Sequence, residues 1–122
     1  MRDGGREMKL EDQVCSLDLA KNLKELGVKQ ESLFYWETCA DQKRIIYAPS
    51  RDENDKHFPA FTVAELGWML PEHSSSEKNQ DGSFNGYYYQ NEHQPIYSES
   101  EADVRAKMLI YLIENNLMEL LR

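Results

Sequence analysis

Ser98-Glu99-Ser100-Glu101-Ala102-Asp103-Val104-Arg105-Ala106-Lys107-Met108-Leu109-Ile110-Tyr111-Leu112-Ile113-Glu114-Asn115-Asn116-Leu117-Met118-Glu119-Leu120-Leu121 decides the fold. Ser98 and Glu101 have the spacing of a capping box, and Ser100 with Asp103 repeats the arrangement two residues later. Glu99, Glu101 and Asp103 put negative charge where a helix dipole is positive. Glu101 with Arg105 and Asp103 with Lys107 are acid-before-base pairs at helical spacing. Ala102, Ala106, Leu109, Ile113 and Leu117 run down one side, Met108 and Leu112 widen the stripe, and Ile110 with Tyr111 nearly closes the circle. The pattern predicts a helix over 98–121, buried on most sides, with Asn115-Asn116 as a stop or kink. A single layer of strands covers a helix on one side only. The outer side around Ile110 and Tyr111 is therefore expected either to meet the first helix or to form a homodimer contact.

Working outward, Ser16 caps a predicted helix from Leu17 to Leu26 with Leu19, Leu23 and Leu26 on its apolar face. Gly27 stands where a left-handed residue ends such a helix, and Val28 follows as its hydrophobic partner. Leu33 to Cys39 and Arg44 to Ala48 read as two strands of a hairpin turning at 40–43, with 50–57 a polar loop. Thr62 and Glu65 form a second capping box, flanked by Phe61 and Leu66 at staple positions. That helix ends by Leu70 because Pro71 disfavours helical geometry before it. Its buried side is expected at Val63, Leu66 and Leu70, with Trp68 or Met69 at the margin. Glu72 to Ser83 reads as a loop and Phe84 to Gln90 as a third strand. A polar bend through 91–95 then leads into the last helix. Residues 1–8 are expected as a disordered lead and 9–122 as a single α+β domain in the order α-β-β-α-β-α. The expected architecture is a small, largely antiparallel three-stranded sheet with helices packed on one face.

The 122 residues fit one compact core and bury enough surface to fold without metal or disulfide. Cys15 and Cys39 lie far apart and outside any CxxC, which predicts reduced core cysteines and a cytoplasmic setting. There is no apolar run of spanning length and no signal-peptide pattern, so neither membrane nor secretion is expected. With 14 basic and 22 acidic residues the net charge is −8. Between Thr62 and Asp103 the acids Glu65, Glu72, Glu77, Asp81, Glu92, Glu99, Glu101 and Asp103 face the single base Lys78. A field of that sign repels nucleic acid and favours basic partners, or simply keeps the domain soluble.

Motifs for chemistry are sparse. His57, His73 and His93 fall in predicted loops without metal-ligand spacing, and solvent-exposed histidine is the expectation. The oxygen-rich stretches 52–55 and 79–83 lack the glycine and terminal glutamate of an EF-hand. No GxSxG, P-loop or GxGxxG occurs, and no cofactor or catalytic residue is expected. The candidate partner surface combines Tyr87, Tyr88, Tyr89 and Trp36 with the acids Glu72, Glu77, Asp81 and Glu92. With Tyr35 and Tyr47, one sheet face would be an aromatic platform; without surrounding bases it suits a protein rather than single-stranded nucleic acid.

Three stretches carry a resemblance. Residues 15–36, from Cys15-Ser16-Leu17 to Phe34-Tyr35-Trp36, and residues 101–115 resemble the opening and ending of small uncharacterised proteins encoded by bacterial phages and prophages. Phe61 to Pro71 is similar to a middle helix of the same set, and together these cover about two fifths of the chain. The resemblance implies a bacterial or phage cytosolic protein and brings no activity or catalytic residue with it. The functional expectation is a non-enzymatic interaction module meeting a host or phage protein. The alternative is a small hydrolase with its site between the 50–58 and 72–83 loops.

Overall fold

The computed structural model describes residues 9–39, 41–47, 57–88 and 95–118. The expected lead at 1–8, the polar stretch 48–56 and the bend through 91–94 lie outside the described residues. After a short 3-10 turn at Leu10–Asp12, the elements are α1 (Leu17–Glu25), β1 (Tyr35–Cys39), β2 (Gln42–Ile46), β3 (His57–Pro59), α2 (Val63–Met69), β4 (Ser75–Lys78), β5 (Phe84–Tyr87), β6 (Ile96–Ser98) and α3 (Glu101–Glu114). The fold class is α+β, as the sequence predicts.

Local chemistry sets the helix ends. The Ser16 hydroxyl accepts from the Leu19 N–H at 3.4 Å, and Gly27 takes φ 89 just past the last turn of α1. There the Val28 N–H donates to the Leu23 carbonyl at 3.1 Å and the Gly27 N–H to that of Lys24 at 3.0 Å, the paired bonds of a Schellman ending. In α2 both halves of the capping box form. The Glu65 N–H donates to Thr62 Oγ1 at 3.1 Å, and Glu65 Oε1 accepts from the Thr62 N–H at 2.9 Å. The last helix starts from Ser100, whose hydroxyl accepts from the Asp103 N–H at 3.1 Å. Asn116, at φ 56, closes it as Gly27 closes α1, so the Asn115-Asn116 stop holds.

Three corrections concern strands. Instead of one sheet there are two, each three-stranded and antiparallel, with orders β2-β1-β3 and β4-β5-β6. His57-Phe58-Pro59, which begins at the end of the expected polar loop, pairs with β1; Ser75–Lys78, expected in a loop, pairs with β5; Ile96–Ser98 takes the two residues expected to link the bend to the last helix and the expected helix start Ser98. These strands are short or polar, and pairing with distant neighbours makes them strands.

The helices do not share one face of one sheet: α3 packs on the second sheet and α1 on the first. One side of α3 meets β4, β5 and β6, another meets α1 and α2, and α1 reaches β3 of the first sheet. That placement explains why Met108 to Ile113 is apolar nearly all round: Met108, Leu109 and Leu112 are buried, and Ile110 and Ile113 pack half-buried against the core. Gly86 of β5 is the point of closest approach to α3. A Cβ there would run into the Met108 side chain and lie 3.1 Å from Val104 Cγ2.

Two long-range polar ties fasten the layers. Asp103 Oδ1 on α3 accepts from the Ser16 N–H at the start of α1 at 2.7 Å. Arg105 spans α3, α2 and β4: Nη1 donates to the Val63 carbonyl at 3.0 Å, Nε to Ser76 Oγ at 3.2 Å, and Nη2 meets Glu101 at 3.4 Å. Gly67 leaves the room that the Arg105 guanidinium occupies.

Candidate functional site

The largest exposed apolar side chain is Trp68, 86 % exposed on α2 directly opposite buried Leu66. Its position follows from the helical period: Val63, Leu66, Met69 and Leu70 turn to the core, which leaves Ala64 and Trp68 on the outer side. One turn earlier, Glu65 reaches out of the helix, and its Oε2 accepts from the Leu33 N–H at 3.0 Å while Oε1 accepts from Ser32 Oγ at 2.8 Å. Glu65 thus ties the segment before β1 to α2, with Leu33, itself 65 % exposed, beside it. Next in line, Phe34 packs on Tyr47 with ring centres 5.4 Å apart, and Tyr47 is 76 % exposed. Leu33, Tyr47 and Trp68 are exposed, while Phe34 beside Tyr47 is half-buried against the core, and the Glu65 bonds link the segment that carries Leu33 to the helix that carries Trp68.

A second cluster crosses the first sheet. Glu37 on β1 lies between its two cross-strand partners, Arg44 and His57. Arg44 Nε donates to Glu37 Oε1 at 2.6 Å, and His57 Nε2 lies 3.1 Å from Glu37 Oε2. The guanidinium and then the imidazole hold the Glu37 carboxyl below the usual carboxylate range. His57 was expected in solvent and is buried, because β3 delivers it next to a carboxylate that satisfies its ring nitrogen. The contact gives the buried ring a carboxylate partner within the first sheet.

Cys15 is wholly buried, its thiol pushed up to about 12, chiefly by that burial. Its carbonyl accepts from Trp36 Nε1 at 2.8 Å, so both side chains belong to the core around α1. A thiol with so high a pKa is a poor nucleophile at neutral pH.

The expected partner residues are dispersed. Trp36 is in the core of the first sheet while Tyr87 and Tyr88 are on or beside the second, so no single aromatic platform forms; the physical reason is the split into two sheets. Tyr88 instead packs on Tyr111 of α3, with ring centres 5.6 Å apart, and the neighbouring Tyr111 hydroxyl raises the Tyr88 pKa. Tyr89, Glu92 and His93 lie outside the described residues. The acidic third is partly used up inside the molecule. Glu65 caps and ties, Glu101 holds Arg105 and Ser76, Asp103 caps α1, and Asp81 accepts from the Ser83 N–H at 2.9 Å and from its hydroxyl at 2.6 Å. Glu72, Glu77 and Glu99 are exposed. Trp68 was placed only at the margin of α2, and the signal that could have found it was there: a large apolar residue out of step with Val63, Leu66 and Leu70.

Among the described residues no three His, Cys, Asp or Glu side chains are placed to hold a metal, and no helix is long and apolar enough to cross a membrane. Comparison with protein-family models, with curated proteins and with solved structures finds no match to this chain.

Proposed function

We propose that this chain is a non-enzymatic protein-interaction module, acting in a bacterial cytoplasm on a host or phage protein. The observation that carries the reading is the exposure of Leu33, Tyr47 and Trp68, with the segment of Leu33 tied to the helix of Trp68 by the Glu65 bonds. Large aromatic and aliphatic side chains held clear of the core are the groups from which interface anchors are made. The alternative, a hydrolase site between the 50–58 and 72–83 loops, falls in part on residues outside the described ones; of the groups described, Cys15 is buried and His57 is bound to Glu37. The acids Glu72 and Glu77 and the Tyr88–Tyr111 pair offer a second, more polar surface, on which self-association through Tyr111 is a further proposal.

The test uses matched baits, wild type and Trp68→Ala with Leu33→Ala, against bacterial lysate at low and moderate salt. The reading expects proteins retained by the wild type and lost by the double variant while circular dichroism stays unchanged. Retention of the same set by both baits, or of nothing by either, overturns it. Sedimentation of the free chain reads the self-association proposal separately, and a strict monomer at high concentration rules that part out.

A further inference from the structure

Trp68 holds its indole in solvent near the end of α2, and the chain around it is acidic. Between Thr62 and Glu77 stand Glu65, Glu72 and Glu77, with no lysine or arginine. Glu72 and Glu77 are exposed and form no ion pair among the described residues. The donors to the Glu65 carboxylate are two backbone N–H groups and a hydroxyl, all neutral, so its charge is not cancelled. The bases that come near are already answered. Arg105, beside Gly67, pairs with Glu101 at 3.4 Å, and Lys29, upstream of Leu33, pairs with Glu31 at 3.2 Å.

Chain geometry keeps the apolar and acidic groups together. Glu65 and Trp68 are one turn apart on α2, and the Leu33 N–H lies 3.0 Å from the Glu65 carboxylate, which puts the Leu33 and Trp68 backbones at most about 15 Å apart. Glu72 follows Trp68 by four residues, a reach of at most about 14 Å. Two exposed apolar side chains and two carboxylates therefore lie within the length of a short extended peptide.

Charge selects the occupant. A second copy docking here would set two surfaces of the same sign against each other, in chains that each carry −8. Nucleic acid and anionic membranes meet the same repulsion. A cationic side chain is attracted twice, by the face of the exposed indole and by the carboxylates near it. Arginine suits that position best, because its planar guanidinium stacks on a ring while its N–H groups bond a carboxylate.

We infer that the outer side of α2 receives a short basic segment of another protein, with an arginine or lysine over Trp68 paired to Glu72, and an adjoining apolar residue against Leu33. The inference rests on the interaction reading and adds the chemistry of the partner.

Selection from a random twelve-residue peptide library tests it, with the wild-type chain as bait and Trp68→Ala, matched by circular dichroism, as counter-selection. The expected result is enrichment of peptides that carry two or more lysines or arginines beside an apolar residue. Titration calorimetry with the most enriched peptide is then expected to show saturable binding that weakens as salt rises, disappears in Trp68→Ala and falls about three- to tenfold in Glu72→Gln. In the control Glu25→Gln, which removes an equal exposed charge from α1, affinity is expected to stay at the wild-type value. Trp68-dependent enrichment of neutral or acidic peptides overturns the inference and leaves the interaction reading standing. A library that yields no Trp68-dependent peptide, or an equal loss in Glu25→Gln, overturns the inference whatever the lysate baits retain. A dimer in sedimentation that dissociates in Trp68→Ala assigns the face to a second copy and overturns it as well.

Discussion

Replacing Glu65 by alanine is the sharpest test of how the segment of Leu33 is fastened to α2. The carboxylate accepts three hydrogen bonds, from the Thr62 N–H, Ser32 Oγ and the Leu33 N–H, at 2.9, 2.8 and 3.0 Å. The first is half of the capping box, and its loss costs about 1 kcal/mol. The second leaves a half-buried hydroxyl with only a 3.5 Å approach to the Ala60 carbonyl, which adds about 1 kcal/mol. The third donor belongs to an exposed residue and turns to water at little cost. The sum of about 2 kcal/mol lowers Tm by roughly 6–12 °C for a domain of this size. Urea unfolding followed by far-ultraviolet circular dichroism, with linear extrapolation, reads the loss directly. Glu65→Gln keeps the Oε1 acceptor and turns an amide donor toward the Leu33 N–H, so it is expected to lose about half as much. An alanine variant within about 0.5 kcal/mol of wild type would refute the reasoning, because it would mean that the ties between α2 and residues 32–33 contribute nothing net.

Gly86→Ala drives a methyl group into Met108 and toward Val104, both wholly buried, and is expected to destabilise by about 1–3 kcal/mol in the same urea assay. Native Cys15 is expected to resist a thiol reagent at pH 8 and to react at the rate of global unfolding. Its raised pKa means the thiol favours the fold below the unfolded value and that stability is lost as pH climbs toward about 12, which an alkaline melt reads. Asp103 is raised in pKa by burial, with the Ser16 N–H and Lys107 opposing. Its contribution is therefore complete below the unfolded carboxylate value and declines as pH rises through the folded one. Asp103→Asn, which keeps an acceptor for the Ser16 N–H, is expected to gain on wild type between pH 4 and pH 7 in urea midpoints, and a relative loss over that interval contradicts the assignment.

What could be read in the sequence was what neighbours decide. Ser16, Thr62 with Glu65, and Gly27 act through atoms no more than a few residues away, so the caps and breaks of α1 and α2 stand where they were expected. Ser98 and Ser100 offered two equivalent starts for α3, and β6 settled the choice by taking Ser98 into a ladder with Phe84. The strands that escaped notice depend on remote pairing: Ser75-Ser76-Glu77-Lys78 has no apolar period of its own, and His57 becomes part of a ladder only opposite Glu37. The same reason hid the candidate surface. An alternating strand has two faces, and nothing local states which one meets α1; hence Trp36, expected outside, is core, while Trp68, expected near the margin, stands in solvent.

The bond from the Ser16 N–H to Asp103 joins residues 87 positions apart and closes the start of the first helix with a carboxylate from the last. On a ribosome the two partners emerge in sequence, separated at ordinary elongation rates by roughly 4–17 s. During that interval α1 and the first sheet have been synthesised but lack α3 and its capping carboxylate. A stall placed between α1 and α3 would therefore leave the Ser16 N–H without its carboxylate acceptor.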